Sequence, residues 1–271
     1  MAKSFAARFR IAPGTRAHLS RHNPASLKAF PNRKVAEKQS IKDGEAIDGL
    51  QDRLYAEGKR ALLVVLQGTD TGGKDGTIKH VFKETGALGV VVTAFKRPSE
   101  EELAHDFLWR AHVAAPRRGY IGIFNRSHYE DVLIGRVRKL ASKEEIEGRY
   151  DQINAFEKIL ADNGTWILKF MLHISKEEQA KRLQERLDKP KHRWKFNPSD
   201  LDDRKLWDEY QNAYDVMLDR CSTAWAPWHV IPADHKWARN AAIAAIVRET
   251  LEEMDPQYPK PDWDPKSFVI K

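Results

Sequence analysis

Five stretches of the chain are continuously apolar rather than alternating: Ala61–Leu66, Val90–Phe95, Tyr120–Phe124, Trp166–Ile174 and Trp228–Ile231. Continuous apolarity is what a parallel strand needs when helices cover both of its faces. Helical patterns surround these runs. Val35, Ile41, Ile47, Leu50, Leu54 and Tyr55 fall near helical spacing and predict a helix over 35–57 that Gly58 ends, with Gly44 and Gly49 as weak points. Ser99-Glu100-Glu101-Glu102 fits a capping box and predicts a helix running through Trp109 and His112. Further helices are predicted over Lys143–Leu160, from Ser175 into Leu183 and Leu187, over Asp202–Leu218 and over Trp237–Met254. Strand alternating with helix in this way predicts an α/β fold with a doubly wound, five-stranded parallel sheet. The proline-rich stretch 256–265 reads as an extended strap.

Composition narrows the class. The chain has 271 residues and is 41% hydrophobic, enough for one large α/β domain or two small ones. Eight Trp, seven Tyr and eleven Phe carry too much apolar surface for general disorder. The single Cys221 excludes a disulfide scaffold and points to a reducing compartment. No apolar run approaches the length of a membrane span, and no apolar stretch follows the N-terminus as a secretory signal requires. The expectation is a cytoplasmic protein without a membrane partner.

The net charge of +7 is unevenly placed. Residues 1–36 hold eight Lys and Arg and no acid, which leaves 38 basic against 39 acidic residues in the rest. The body is therefore near neutral, and residues 1–34 form a basic arm preceding a single domain over 35–271. Such an arm can bind nucleic acid, act as a transit peptide, or fold over its own domain or a neighbouring subunit.

The strongest chemical signal follows the first strand. Gly68-Thr69-Asp70-Thr71-Gly72-Gly73-Lys74-Asp75-Gly76 contains G-x-x-x-x-G-K, preceded by a buried strand and followed by a stretch, Thr77–Phe82, that can continue as a helix. Glycines let backbone amides turn inward around phosphate, the helix points its positive end at the same place, and Lys74 adds a mobile charge. Gly68, Thr71, Gly72, Gly73 and Lys74 are thus candidate phosphate ligands. The residue after the lysine is Asp75 where Ser or Thr is usual, and Asp70 lies inside the loop. An acid beside a phosphate cradle makes sense with a divalent cation between them, and Asp70 is the better candidate. Asp75 reads equally well as a first-turn acid favoured by the helix dipole.

The third strand runs into Asn125-Arg126-Ser127-His128-Tyr129-Glu130-Asp131. Ligands bind beyond the carboxyl ends of strands in an open α/β sheet, so this cluster is expected to face the loop. Asn125 is a neutral donor where an Asp is usual in loop-type kinases, and Arg126 can clamp phosphate with its planar fork. Glu130 and Asp131 can hold magnesium, read the acceptor or cap the following helix, and His128 can touch phosphate or fill the helix start. Residues 181–196 carry seven Lys and Arg against two acids, and Pro190 breaks the helix there. A lid over about 182–204 is expected, with Trp194 and Phe196 to pack it down or stack on a base. Cys221 reads as a small packed residue.

Taken in order, Gly-x-Asp-x-x-Gly-Gly-Lys-Asp-Gly, Phe-Asn-Arg-Ser-His-Tyr-Glu-Asp-Val-Leu, Arg-Trp-Lys and Ala226-Pro227-Trp228-His229-Val230-Ile231-Pro232-Ala233 resemble the family-2 polyphosphate kinases from about residue 35 onward. The resemblance implies a thymidylate-kinase-like P-loop fold with a lid. It implies reversible, Mg²⁺-dependent phosphoryl transfer, with Mn²⁺ as a substitute ion, from inorganic polyphosphate to adenine or guanine nucleotides. By that resemblance Asp70 holds the metal, and Asp70, Lys74 and Arg126 carry transfer; Asp131, from its place beyond the third strand, is expected as a second metal ligand. Arg186, Arg193 and Lys195 belong to the basic lid. Asn125 and Glu130 resemble the subgroup that accepts mono- and diphosphates. A homodimer or homotetramer is implied too. The competing readings are an ATP-dependent nucleoside monophosphate kinase on the same fold and a non-catalytic nucleic-acid-binding module. No recognised nucleic-acid motif supports the latter.

Overall fold

The computed structural model describes residues 4–268 and Ile270; Lys3 of the basic arm lies outside them. In chain order the elements are α1 (Arg33–Glu57), β1 (Ala61–Gln67), α2 (Lys74–Val81), β2 (Val90–Ala94), α3 (Glu100–Leu103) and α4 (Trp109–Val113). There follow β3 (Ile121–Asn125), α5 (Glu130–Val137), α6 (Lys143–Asp162), β4 (Thr165–His173) and α7 (Lys176–Asp188). The chain then forms α8 (Ser199–Lys205), α9 (Trp207–Cys221), β5 (Trp228–Pro232) and α10 (Lys236–Met254). The five strands pair in parallel in the order β2-β3-β1-β4-β5.

β1 is central, and all seven of its residues are buried. Successive side chains of a strand point to opposite faces. Leu62, Val64 and Leu66 therefore join Phe170 and Leu172 of β4 and the apolar face of α10, while Leu63 and Val65 join Phe124, Met171, Tyr150 and Met217 on the other side. Helices on both faces explain the continuous apolar runs.

β2 departs from that expectation. It is an edge strand, and Val91 and Val92 are 48% and 50% exposed. Its apolar run resembled a fully covered strand because β-branched residues suit an edge as well as a centre. The helix expected from Ser99 through His112 is also two short helices. The capping box forms between Ser99 and Glu102, but the Asp106 side chain accepts the amide of Leu108 at 2.9 Å and starts a new turn. The helix expected over 202–218 is likewise divided at Leu206 into α8 and α9. Pro190 ends α7 as its geometry requires, and a 3₁₀ segment, Pro190–Lys195, follows.

The described part of the basic arm, residues 4–34, lies on the body. Its backbone bridges the edge of β5: the Ile11 amide donates to the Trp228 carbonyl and the Val230 amide to the Phe9 carbonyl, both at 2.9 Å. Ile11, Leu19 and Phe30 are buried. Glu249 on α10 accepts the amides of Phe5 and Ala6, while Asp219 and Asp215 on α9 accept those of Ala17 and Leu19. Among the described residues no helix is long and apolar enough to cross a membrane.

His229 is buried beneath the arm, and burial pushes its imidazole down to about 4. The fold thus prefers the neutral ring. That preference contributes fully above the ordinary histidine value of about 6.5 and is lost as pH falls from there to about 4, by about 3 kcal/mol in all. We expect the melting temperature of His229→Gln to fall less steeply between pH 7 and pH 4.5 than that of the native chain. Equal slopes in thermal denaturation would refute the assignment.

Candidate active site

The loop from Gly68 to Gly73 joins β1 to α2 at the carboxyl edge of the sheet. Its glycines are required by space and by dihedral angle. Gly73 has φ +101°, and a Cβ there would overlap the guanidinium of Arg239. A Cβ at Gly68, at φ +152°, would meet the Leu172 carbonyl oxygen at 2.8 Å. Thr71 and Arg126 adopt the left-handed region without being glycine, at φ 63° and 60°. Such strain is kept where the surroundings over-determine it.

Buried guanidiniums hold the loop from behind. Arg182 on α7 donates to the carbonyls of Thr71 at 3.0 Å and of Ala233 at 2.7 Å. Arg239 on α10 donates to the Gly72 carbonyl at 3.1 Å, and burial followed by repulsion from Arg182 lowers it to about 9. Lys74 donates to the Gly68 carbonyl at 2.7 Å. Burial, then the neighbouring Arg126, lowers its ammonium to about 8.

Leu66 pairs with Asn125 across β1 and β3, so the third strand's end stands beside the loop as its position predicted. Arg126 forks between two carboxylates. Nη2 reaches Asp70, and Nη1 reaches Glu130 at 3.0 Å. Glu130 first, against burial and with help from Asp70, raises the guanidinium above its ordinary value. The Asn125 amide donates to Asp75 at 2.8 Å, and Lys195 reaches the other oxygen of Asp75 at 3.3 Å. Burial pushes Asp75 up, but these two bonds outweigh it and hold the carboxyl below the usual range.

These groups border a cleft of about 730 Å³. Asp70, Thr71, Gly73, Lys74, Asp75, Asn125, Arg126, Arg186 and Lys195 line it. Gly68 and Gly72 shape the loop behind it, and Glu130 acts on it through Arg126. Arg193 turns away and donates to the Leu187 carbonyl at 2.9 Å. Asp131 is not brought to Asp70. It faces Arg110 at 3.6 Å and Arg149 at 3.9 Å, and burial raises its carboxyl despite both cations. Its place in the sequence put it one residue past Glu130, on another face of α5.

Sequence reasoning missed Arg239, Lys236 and Asp200, which line the same cleft. Arg239 and Lys236 carried a readable signal, since both closely follow the carboxyl end of β5. Asp200 carried none. It receives Arg186 at 3.0 Å, and burial, then Asp70, pushes its carboxyl up to about 6. The Cys221 thiol is buried and pushed up to about 12, which keeps it inert.

Among the described residues no group of three or more His, Cys, Asp or Glu side chains forms a metal cage. Asp70 stands at the loop, and the buried hydroxyls of Thr69 and Thr71 beside it make no hydrogen bond. Mg²⁺ is commonly held by one or two carboxylates together with water and substrate phosphates. This donor set fits such an ion.

Eight cationic side chains line the cleft against four carboxylates, so it is built for a polyanion. A glycine loop at a helix start, a buried lysine and converging guanidiniums define a P-loop phosphotransferase. The comparisons refine that class. The sequence profile of the family Polyphosphate kinase 2 matches residues 31–259. An AMP/ADP-polyphosphate phosphotransferase of Meiothermus ruber is 49% identical over 97% of this chain and 99% of its own. An ADP-polyphosphate phosphotransferase of Rhodopseudomonas palustris is 39% identical over 93% of this chain and 91% of its own. The crystal structure of polyphosphate kinase 2 from Arthrobacter aurescens TC1 superposes with a TM-score of 0.94 at 41% identity, covering 98% of this chain and 95% of that one. The chain belongs to the polyphosphate kinase 2 family and is an enzyme of phosphoryl transfer.

Burial makes Lys74 a group that can lose its charge in the working pH range of an enzyme. Its cationic form is the one that attracts phosphate, and that form is lost as pH rises through about 8. We expect kcat/KM to fall above about pH 8 with the loss of one proton. The kcat profile should stay level to higher pH, because bound phosphate favours the ammonium. A kcat/KM that holds level to pH 9.5 would contradict this.

Proposed function

We propose that this protein transfers the terminal phosphoryl group of inorganic polyphosphate, reversibly, to AMP and to ADP. The observation that carries the reading is the 49% identity, over nearly the full length of both chains, to an AMP/ADP-polyphosphate phosphotransferase. The cleft supports it chemically. Phosphoryl transfer asks for alignment and charge neutralisation rather than covalent help.

The loop amides and Lys74 hold the acceptor's phosphates. Arg126 stands over the transferring group and neutralises charge that spreads over its oxygens. Asp70 orients Arg126, and its carboxylate would hold Mg²⁺. When bound, the ion screens the repulsion between donor and acceptor phosphates. Arg186 and Lys195 draw the polymer in from the lid over about 182–204, while Asp200 steadies Arg186. Asn125, neutral beside Asp75, leaves room for the shorter acceptor as well as the longer one, and Glu130 keeps Arg126 in line. Guanine nucleotides are accepted along with adenine, and the chain works in the cytoplasm as a homodimer or homotetramer. The arm over 1–34 steadies the body and binds no nucleic acid.

A single mixture tests the reading: protein, Mg²⁺, long-chain polyphosphate and AMP, without ATP, followed by nucleotide chromatography. ADP and then ATP should appear. In a parallel mixture with ADP in place of AMP, formation of ATP while AMP stays untouched in the first would limit the acceptor to diphosphates. No turnover in either, with ATP phosphorylating a nucleotide when it replaces polyphosphate, would overturn the polyphosphate donor. In the same assay Asp70→Ala and Lys74→Ala should each lose activity by orders of magnitude and stay folded. The KM for polyphosphate should rise steeply with salt, since binding a polyanion releases its counterions.

A further inference from the structure

Under the cleft lies a polar cluster that the transfer reaction does not touch. Lys169 on β4, Glu157 on α6, and Tyr129 and His128 at the start of α5 are fully buried. The Lys169 ammonium donates to Glu157 Oε2 at 2.6 Å, to the Tyr129 hydroxyl at 2.7 Å and to the Cys221 carbonyl at 2.7 Å. These three bonds use all three of its protons. It also stands 5.2 Å from the ring centres of both Tyr129 and Trp228. The Tyr129 hydroxyl donates to Glu157 Oε1 at 2.7 Å, and His128 Nε2 lies 3.4 Å from the same oxygen.

A buried ion pair of this kind is weak evidence for stability, because desolvation offsets much of the attraction. What it does supply is fixed geometry. Glu157 and Lys169 sit on a long helix and a central strand. His128 and Tyr129 sit two and three residues after Arg126, whose backbone holds the left-handed region without glycine. The turn is pinned at both ends. The Arg126 amide donates to the Leu66 carbonyl at 3.0 Å, and Ser127 Oγ accepts from Gln67 and from the Tyr129 amide, each at 3.2 Å.

We propose that the Lys169–Glu157 pair, acting through Tyr129 and His128, is a positioning device that keeps the β3–α5 turn strained and aims Arg126 into the cleft. Tyr129, Glu157 and Lys169 are then positioning residues for phosphoryl transfer, although none of them reaches substrate. This rests on the reading that Arg126 neutralises charge on the transferring group. It also accounts for a tyrosine whose hydroxyl is spent wholly inside the protein.

Tyr129→Phe removes one hydroxyl and keeps the ring against Trp228, 4.9 Å away between centres. With polyphosphate and ADP we expect kcat to fall about tenfold at unchanged KM, the pattern of an interaction made only in the transition state. The melting temperature should move by only a few degrees. In the Arg126→Lys background, assayed at higher enzyme concentration, the same change should cost less than about twofold, because coupled residues are not additive. Equal factors in both backgrounds, an unchanged kcat, or a loss of kcat matched by collapse of the melting temperature would overturn the proposal. If Arg126→Lys proves too slow to assay, the split between kcat and KM in Tyr129→Phe decides alone. Native protein that does not turn over at all would instead refute the functional reading beneath it.

Discussion

Everything in the cleft depends on one short piece of backbone, the loop between β1 and α2. Its amides have to face outward to receive phosphate, so its carbonyls turn inward, where they need donors of their own. Arg182 supplies them to Thr71, Arg239 to Gly72 and Lys74 to Gly68. These cations come from α7, α10 and the loop's own helix. The same guanidiniums that satisfy the loop deepen the positive field of the site. This coupling is why Arg239 occupies the space that a side chain at Gly73 would take.

Positive charge at this density needs a restraint, and carboxylates supply it. Asp70 and Glu130 flank Arg126, Asp75 receives Lys195, and Asp200 receives Arg186. Each pairing fixes the direction of a cation without neutralising the cleft. The segment over about 182–204 is tied to the floor by one of these contacts, Lys195 with Asp75, for which a polyanion entering the cleft would compete.

The strands were legible because a sheet covered on both faces writes itself as unbroken apolar runs. β1, β3, β4 and β5 fall where those runs lie. β2 was read as covered and is an open edge, since apolar content records β-propensity without recording what lies across the sheet. The split of the helix after Ser99 turned on one local competitor, Asp106, whose side chain captures a nearby amide. The loop was legible because glycine spacing and a following lysine carry geometry within nine residues. Asp131 lies away from the loop for the opposite reason: adjacency to Glu130 says nothing about which helix face looks toward the loop.

By itself the sequence determined the layered α/β plan, the phosphate loop, the charge of the lid and the family, because these depend on local patterns of polarity and spacing. The tertiary structure decided the rest. It brought Arg239 and Asp200, 166 and 127 residues beyond Gly73, to the same cleft. It turned Asp131 toward Arg110 and Arg149, laid the arm along β5, and closed the Lys169–Glu157 pair beneath Arg126. Contacts between distant segments follow from how layers stack, and a buried charge finds its partner only once the chain has folded around it.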